Sequence, residues 1–193
     1  MEEKKTDLRI LKTYKALSDA FVEMLNEKRF DDITVNELCE RAMVRRATFY
    51  KHFADKYEFF GFFVRQIQEG FNANEINYLD SDMPHTYYLY LFQECIHFLQ
   101  QHEKLLNSII KSNMFPALLE IFSDEVYRNV LFHMKEQEEN GLKLSMSPEI
   151  LASFYTGGII QVLRLWLTKA KICSEEQLVH EVEQILSTFQ VIP

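Results

Sequence analysis

FDDITVNELCERAMVRRATFYKHFADK, residues 30–56, is the stretch that decides the fold. Within it Thr34-Val35-Asn36-Glu37 reads as a capping box, Thr34 at the N-cap and the Glu37 carboxylate reaching back to it. The helix so opened is short, with Val35, Leu38, Cys39 and Ala42 along one side. Met43-Val44-Arg45 makes a tight connection, and a second short helix follows from Arg46 to about Phe53. Phe49 and Phe53 lie one helical turn apart and face inward together. Asp55-Lys56-Tyr57-Glu58 repeats the pattern of cap and carboxylate and opens a longer helix through Phe59, Phe60, Phe63 and Ile67. Upstream, Ile10, Tyr14, Leu17, Phe21 and Met24/Leu25 recur at helical spacing, the apolar stripe of an amphipathic helix. Three helices, the last two joined by so short a turn, have helix-turn-helix proportions.

The rest of the 193 residues continues the helical pattern. Residues 72–84 are a polar break, after which Tyr87, Leu91, Cys95, Phe98 and Leu99 resume the stripe. Another helix is expected from Pro116 through Phe122, Val126, Val130 and Met134, with Asn140-Gly141 as its C-cap. Ser147-Pro148 starts a helix to about Ala170, and Ser174-Glu175-Glu176-Gln177 is a further capping box. Only 5 Gly and 4 Pro occur, too few for the turns of an all-β fold, so the class is all-α. The 3 Cys are widely spaced without a CxxC pair, which argues against a disulfide framework and fits a reducing compartment. The first residues lack a signal-peptide apolar run, and the densest apolar stretches, Phe59 to Val64 and Gly157 to Leu167, are too short or too interrupted to span a bilayer. A cytoplasmic protein is expected.

A net charge of −8 disfavours a nonspecific nucleic-acid coat or a membrane-surface binder. That total hides an asymmetry. Residues 41–56 carry Arg41, Arg45, Arg46, Lys51 and Lys56 against Asp55 alone, a local +4 that leaves −12 elsewhere. With Phe49 and Phe53 inward, Arg46 and Tyr50 share one outer edge, while Thr48, Lys51 and His52 project from the rest of the outer surface. Arg46 suits guanine in the major groove, and Thr48 a base or a phosphate. Tyr50, Lys51 and His52 suit phosphate oxygens, and the helix starts at Thr34 and Asp55-Lys56 aim backbone N–H groups, with Lys56 adding charge. A solvated basic face on an ordinary bundle is the competing reading; the ordered combination of capping box, short turn and inner aromatic pair outweighs it. Glu94-x-x-His97 is a lone pair without zinc spacing, and there is no phosphate loop or nucleophile motif. No metal, cofactor or catalytic residue is expected.

At this point residues 8 to about 60 resemble the DNA-binding domain of TetR-type transcriptional regulators. The likeness is carried by Phe30 to Leu38, Ala42, Ala47 to Phe53, and Asp55-Lys56. It implies a helix-turn-helix domain over 1–56, joined by a long helix to a larger helical ligand-sensing and dimerisation domain over 57–193. It also implies a homodimer whose second domain senses a small molecule. Two residues depart from the family's pattern: Met43 stands where glycine is usual, and Arg45 where serine is common, so Arg45 is expected to add a phosphate or base contact.

One helix-turn-helix reads only a few base pairs, so a symmetric dimer on a near-palindrome is expected. Leu151, Tyr155, Gly158, Val162 and Leu165, with Leu178, Val182, Ile185 and Phe189, are the expected dimer interface, unless these stripes fill their own subunit's core. Phe63, Tyr88, Phe92, Phe122 and Phe154, with Gln93 and His97 as polar handles, are the expected walls of a pocket for a small apolar or aromatic ligand, simple core being the alternative. The resulting expectation is a repressor released from a palindromic operator by its ligand. The alternatives are a coactivator whose second domain binds a protein, and a helical ligand carrier or enzyme without operator binding.

Overall fold

The computed structural model describes residues 8–72, 84–141, 144, 146–169 and 172–188. Among these the chain is all-helical: α1 (Leu8–Glu27), a 3-10 turn (Phe30–Asp32), α2 (Val35–Arg41), α3 (Arg46–His52), α4 (Lys56–Asn72), α5 (Pro84–Gln101), α6 (Glu103–Ile110), α7 (Phe115–Glu139), α8 (Pro148–Thr168) and α9 (Glu175–Thr188). Both signals around α2 and α4 form as expected. The Glu37 N–H donates to Thr34 Oγ1 at 3.2 Å and the Thr34 N–H to Glu37 Oε2 at 3.1 Å. At α4, Asp55 Oδ1 accepts from the N–H groups of Tyr57 and Glu58, and Glu58 Oε2 from that of Ala54. The box at α9 is half formed: the Gln177 N–H reaches Ser174 Oγ, but the Gln177 amide turns forward to Glu181. Ser147 holds the N-cap position of α8 without a side-chain cap bond, leaving Pro148 as the stop on the preceding chain.

The chain forms two compact units, one made of residues up to Phe63 with His102–Leu118, the other of Val64–Gln101 with residues from Leu119 onward. Packing thus carries the first unit beyond the division expected at residue 56 and adds α6 to it. No helix is expected at α6 from the sequence reading, because the helical spacing of Leu105, Leu106, Ile109 and Ile110 spans only two turns. It is held by polar contacts with distant chain. Ser108 Oγ donates to the Lys28 carbonyl at 2.7 Å, Ser112 Oγ to Asp31 Oδ1 at 2.7 Å, and the Asn113 N–H to Asp31 Oδ2 at 2.9 Å. The bonds from Asn113 and Ser112 hold the Asp31 carboxyl below its usual range.

The core of the first unit is aromatic. Phe21 meets Phe30, Phe59 and Phe63 edge-on, and Phe53 meets Phe49 and Phe59 at centroid distances of 5.3 and 5.1 Å. In the second unit, Tyr88, Phe92 and Ile96 of α5, Val130 and Met134 of α7, Leu151, Ala152, Tyr155, Leu163 and Trp166 of α8, and Leu178, Val182 and Leu186 of α9 form one cluster. Glu125, buried on α7, accepts from Arg65 of α4 and Arg128 of its own helix. The apolar run at 157–167 lies within α8, the helix expected from Ser147-Pro148, and these 21 residues are by length and composition enough to cross a membrane, which the run alone is not. Its inward side chains fill the cluster just described, which accounts for its composition.

The turn between α2 and α3 closes as a complete Schellman motif, the Val44 N–H reaching the Cys39 carbonyl at 2.9 Å and the Met43 N–H that of Glu40 at 3.1 Å. This geometry needs a left-handed residue, and Met43 supplies it at φ +53° with its side chain 93% exposed. Met43→Gly therefore removes strain and no packing. It is expected to stabilise the protein by about 1 kcal/mol, read as a rise of roughly 2–4 °C in Tm.

Candidate nucleic-acid interface

α3 has seven residues and no side-chain cap from Arg45, so its position comes from its inner face. Phe49 is fully buried and Phe53 nearly so, both within about 6 Å of the Phe59 ring. Burying these rings turns Arg46, Tyr50 and Lys51 outward, with Arg45 exposed at the N-cap and Thr48 half-buried between them. His52 is half-buried and does not project freely: its Nδ1 lies 3.2 Å from the Tyr14 hydroxyl, and the two rings meet edge-on.

The +4 expected over residues 41–56 is not all available to a partner. Arg41 Nη1 is 2.6 Å from Glu27 Oε1, an ion pair within the unit. Lys56, expected to add charge at the start of α4, is placed otherwise. Its Nζ donates to the carbonyls of Phe30, Asp31 and Ile33 at 3.0, 3.2 and 2.9 Å, and lies 4.6 Å from the Phe30 ring centroid. An ammonium has three protons, and here each has a carbonyl to meet. Desolvation pulls the Lys56 pKa down, against the opposing pull of Asp31 and Asp32. Lys56 thus clamps the 3-10 turn that leads into α2. The Thr34 hydroxyl is likewise occupied, donating to Glu37 Oε2 at 2.7 Å. Lys28, at 2.7 Å from Glu37 Oε1, and then Thr34 hold the Glu37 carboxyl down at about 2. Among the described residues, Arg45, Arg46 and Lys51 form no ion pair, so α3 and its N-cap concentrate the uncommitted positive charge.

The expected ligand walls fall in different units. Phe63 packs on Phe21 in the first unit's core. Tyr88 and Phe92 are buried in the second unit's cluster, Phe122 packs against it, and Tyr88 stacks on Tyr155 with centroids 5.7 Å apart. Gln93 and His97 are exposed, and His97 Nε2 meets the Gln101 amide, so neither points inward. Phe154 is 57% exposed and faces away from the cluster. A polar atom that no sequence pattern singles out is also buried: among the described residues the Thr156 hydroxyl has no hydrogen-bond partner.

The expected dimer residues also divide. Leu151, Tyr155, Leu178 and Val182 are buried in their own subunit, because they are the inward stripe of each helix. Val162 and Leu165 are half-buried, Gly158 and Ile185 exposed, and Phe189 lies outside the described residues. The outward face of α8 carries Ile150, Phe154, Gly157 and Gly158. A Cβ built on either glycine would meet nothing within 4 Å.

Residues 17–61 match the family described as bacterial regulatory proteins, tetR family, and residues 88–188 match a transcriptional regulator C-terminal region. An uncharacterised HTH-type transcriptional regulator of Bacillus subtilis (strain 168), YxbF, is 41% identical over 58 residues, a stretch that spans 30% of this chain and 15% of that protein. Among solved structures, Lin0861 from Listeria innocua superposes with a TM-score of 0.69 at 20% identity, covering 98% of this chain and 97% of that one. The regulatory protein TetR from Rhodobacter sphaeroides gives 0.51 at 18% identity, covering 93% and 99%. At these identities the superpositions establish the fold.

Lys56→Met keeps the stem over Phe30 and leaves three carbonyls without their donor. The expected loss is about 2 kcal/mol, seen as a fall of roughly 4–8 °C in Tm. A lysine reserved for phosphate would leave the midpoint where it is.

Proposed function

The chain belongs to the TetR family of bacterial regulatory proteins, and we propose that it represses transcription as a homodimer on a palindromic operator until a small apolar or aromatic ligand releases it. It is a helix-turn-helix DNA-binding regulator of a non-enzymatic family. What carries the finer reading is α3, a short helix fixed by Phe49 and Phe53 that presents Arg46, Tyr50 and Lys51 outward on an otherwise acidic protein. Arg46, at the first position of the helix, forks onto guanine in the major groove, with Tyr50 beside it. Thr48 meets a base or a phosphate. Arg45, Lys51 and His52 contact phosphates and set the register, while Thr34 contributes the backbone N–H groups at the start of α2. Lys56 supports this surface through the 3-10 turn. A bound dimer occupies DNA that polymerase requires, which is repression by exclusion, and the cytoplasm is where it acts.

The outward stripe of α8, Ile150, Phe154, Gly157 and Gly158 with Leu165, joins Ile185 of α9 as the dimer face. Bare glycines there let a partner helix approach closely, which offsets their cost of about 1 kcal/mol each in a helix. The effector binds within the second unit beside Tyr88, Phe92 and Phe122, and a polar atom on it satisfies the Thr156 hydroxyl.

Mobility-shift titration against DNA flanking the chain's own gene tests the operator reading; a folded dimer that forms no salt-sensitive specific complex overturns it. In the same assay Arg46→Ala is expected to relax base preference at a cost of about 1–3 kcal/mol. Lys51→Ala should weaken all sequences alike and lower the salt slope by about one. Phe154→Asp is expected to convert the dimer to a folded monomer in sedimentation equilibrium. Retention of the dimer would move the interface off α8.

A further inference from the structure

Tyr14 lies on α1, away in sequence from every residue assigned to the DNA surface, yet its hydroxyl is 3.2 Å from Nδ1 of His52 on α3. Its ring is already accounted for, packed 4.6 Å from the Phe62 centroid and 5.7 Å from that of Phe53. A phenylalanine would serve that packing equally well. The hydroxyl is what tyrosine adds, and it is spent on the imidazole.

A neutral imidazole carries one proton, and the hydrogen bond at one nitrogen decides which nitrogen holds it. We infer that Tyr14 is a positioning residue for operator binding: its hydroxyl donates to His52 Nδ1 and so holds the ring as the Nε2–H tautomer, the form that donates to a phosphate oxygen. The opposite polarity would turn the Nε2 lone pair toward the anion. It would also leave the phenolic proton needing another acceptor. The edge-on contact of the two rings, with centroids 5.3 Å apart and planes at 81°, fixes the imidazole orientation as well as its tautomer. The half-buried state of His52 fits this arrangement, with Nδ1 turned to Tyr14 and part of the residue left exposed. The inference rests on the reading of His52 as a phosphate contact.

Side-chain 15N spectra of the full-length protein at mildly alkaline pH, with operator titrations of Tyr14→Phe, His52→Ala and the double variant, test it. The expected result is an Nε2–H tautomer in the wild-type protein that Tyr14→Phe no longer enforces. Tyr14→Phe is also expected to weaken operator binding about three- to tenfold with Tm nearly unchanged, the size of one lost hydrogen bond. In the His52→Ala background, Tyr14→Phe should cost nothing further. If His52→Ala binds as tightly as wild type, the phosphate contact itself fails. If His52→Ala weakens binding while Tyr14→Phe does not, or if the two losses add, the contact stands and the positioning role is overturned. A wild-type Nδ1–H tautomer overturns the role without recourse to any variant.

Discussion

Seven residues are too few for a helix to stand alone in water, because the cost of nucleation is not recovered over two turns. α2 and α3 are both of that length, so each persists through what it buries. For α3 the burial is two phenylalanines on one face, Phe49 and Phe53, locked among Phe59, Phe62 and Tyr14. Fixing two side chains one turn apart fixes the rotation of the whole helix. The outward direction of Arg46, Tyr50 and Lys51 follows from that rotation and needs no separate cause. The same packing puts His52 within reach of Tyr14. The chemistry of the outer face is therefore set from the inside.

Charge is organised by the same logic. The basic segment inside an acidic chain contains residues of two kinds, some tied down to hold the unit together and some left exposed. Arg41 is paired with Glu27 and Lys56 with three carbonyls. What remains lies on α3 and its N-cap. With the rest of the chain strongly acidic, DNA is repelled from most of the surface and meets attraction over a short face. An acidic protein can bind nucleic acid selectively in this way, since the sequence-independent coating that a basic surface favours is suppressed.

Most of the first unit could be read directly. Thr34 and Glu37, or Asp55 and Glu58, interact across a single turn, so their spacing alone specifies the contact. The inward pairing of Phe49 and Phe53 is equally local. α6 was not singled out, because the helical spacing of Leu105, Leu106, Ile109 and Ile110 lasts only two turns, and its anchors, Lys28 and Asp31, lie some 80 residues upstream. Lys56 looked like surface charge because nothing in its neighbourhood announces that the carbonyls of residues 30, 31 and 33 converge on it. The stripes of the last two helices could be read only as stripes: periodicity reports which residues share a face, and cannot distinguish an apolar face that meets its own core from one left outside it. Leu151 and Tyr155 are buried in the core, whereas Ile150 and Phe154 are exposed.

By itself, then, the sequence determined the all-helical class, the caps, the helix-turn-helix and the inner face of the recognition helix, because each rests on interactions between residues within a turn or two of each other. Only the tertiary structure decided which cations of the basic segment are free, that α6 joins the first unit, that Phe63 packs on Phe21 while Phe154 is exposed, and that Tyr14 reaches His52. Those outcomes depend on distant segments meeting, and a hydrogen bond across 38 or 80 positions leaves no periodic trace in the chain.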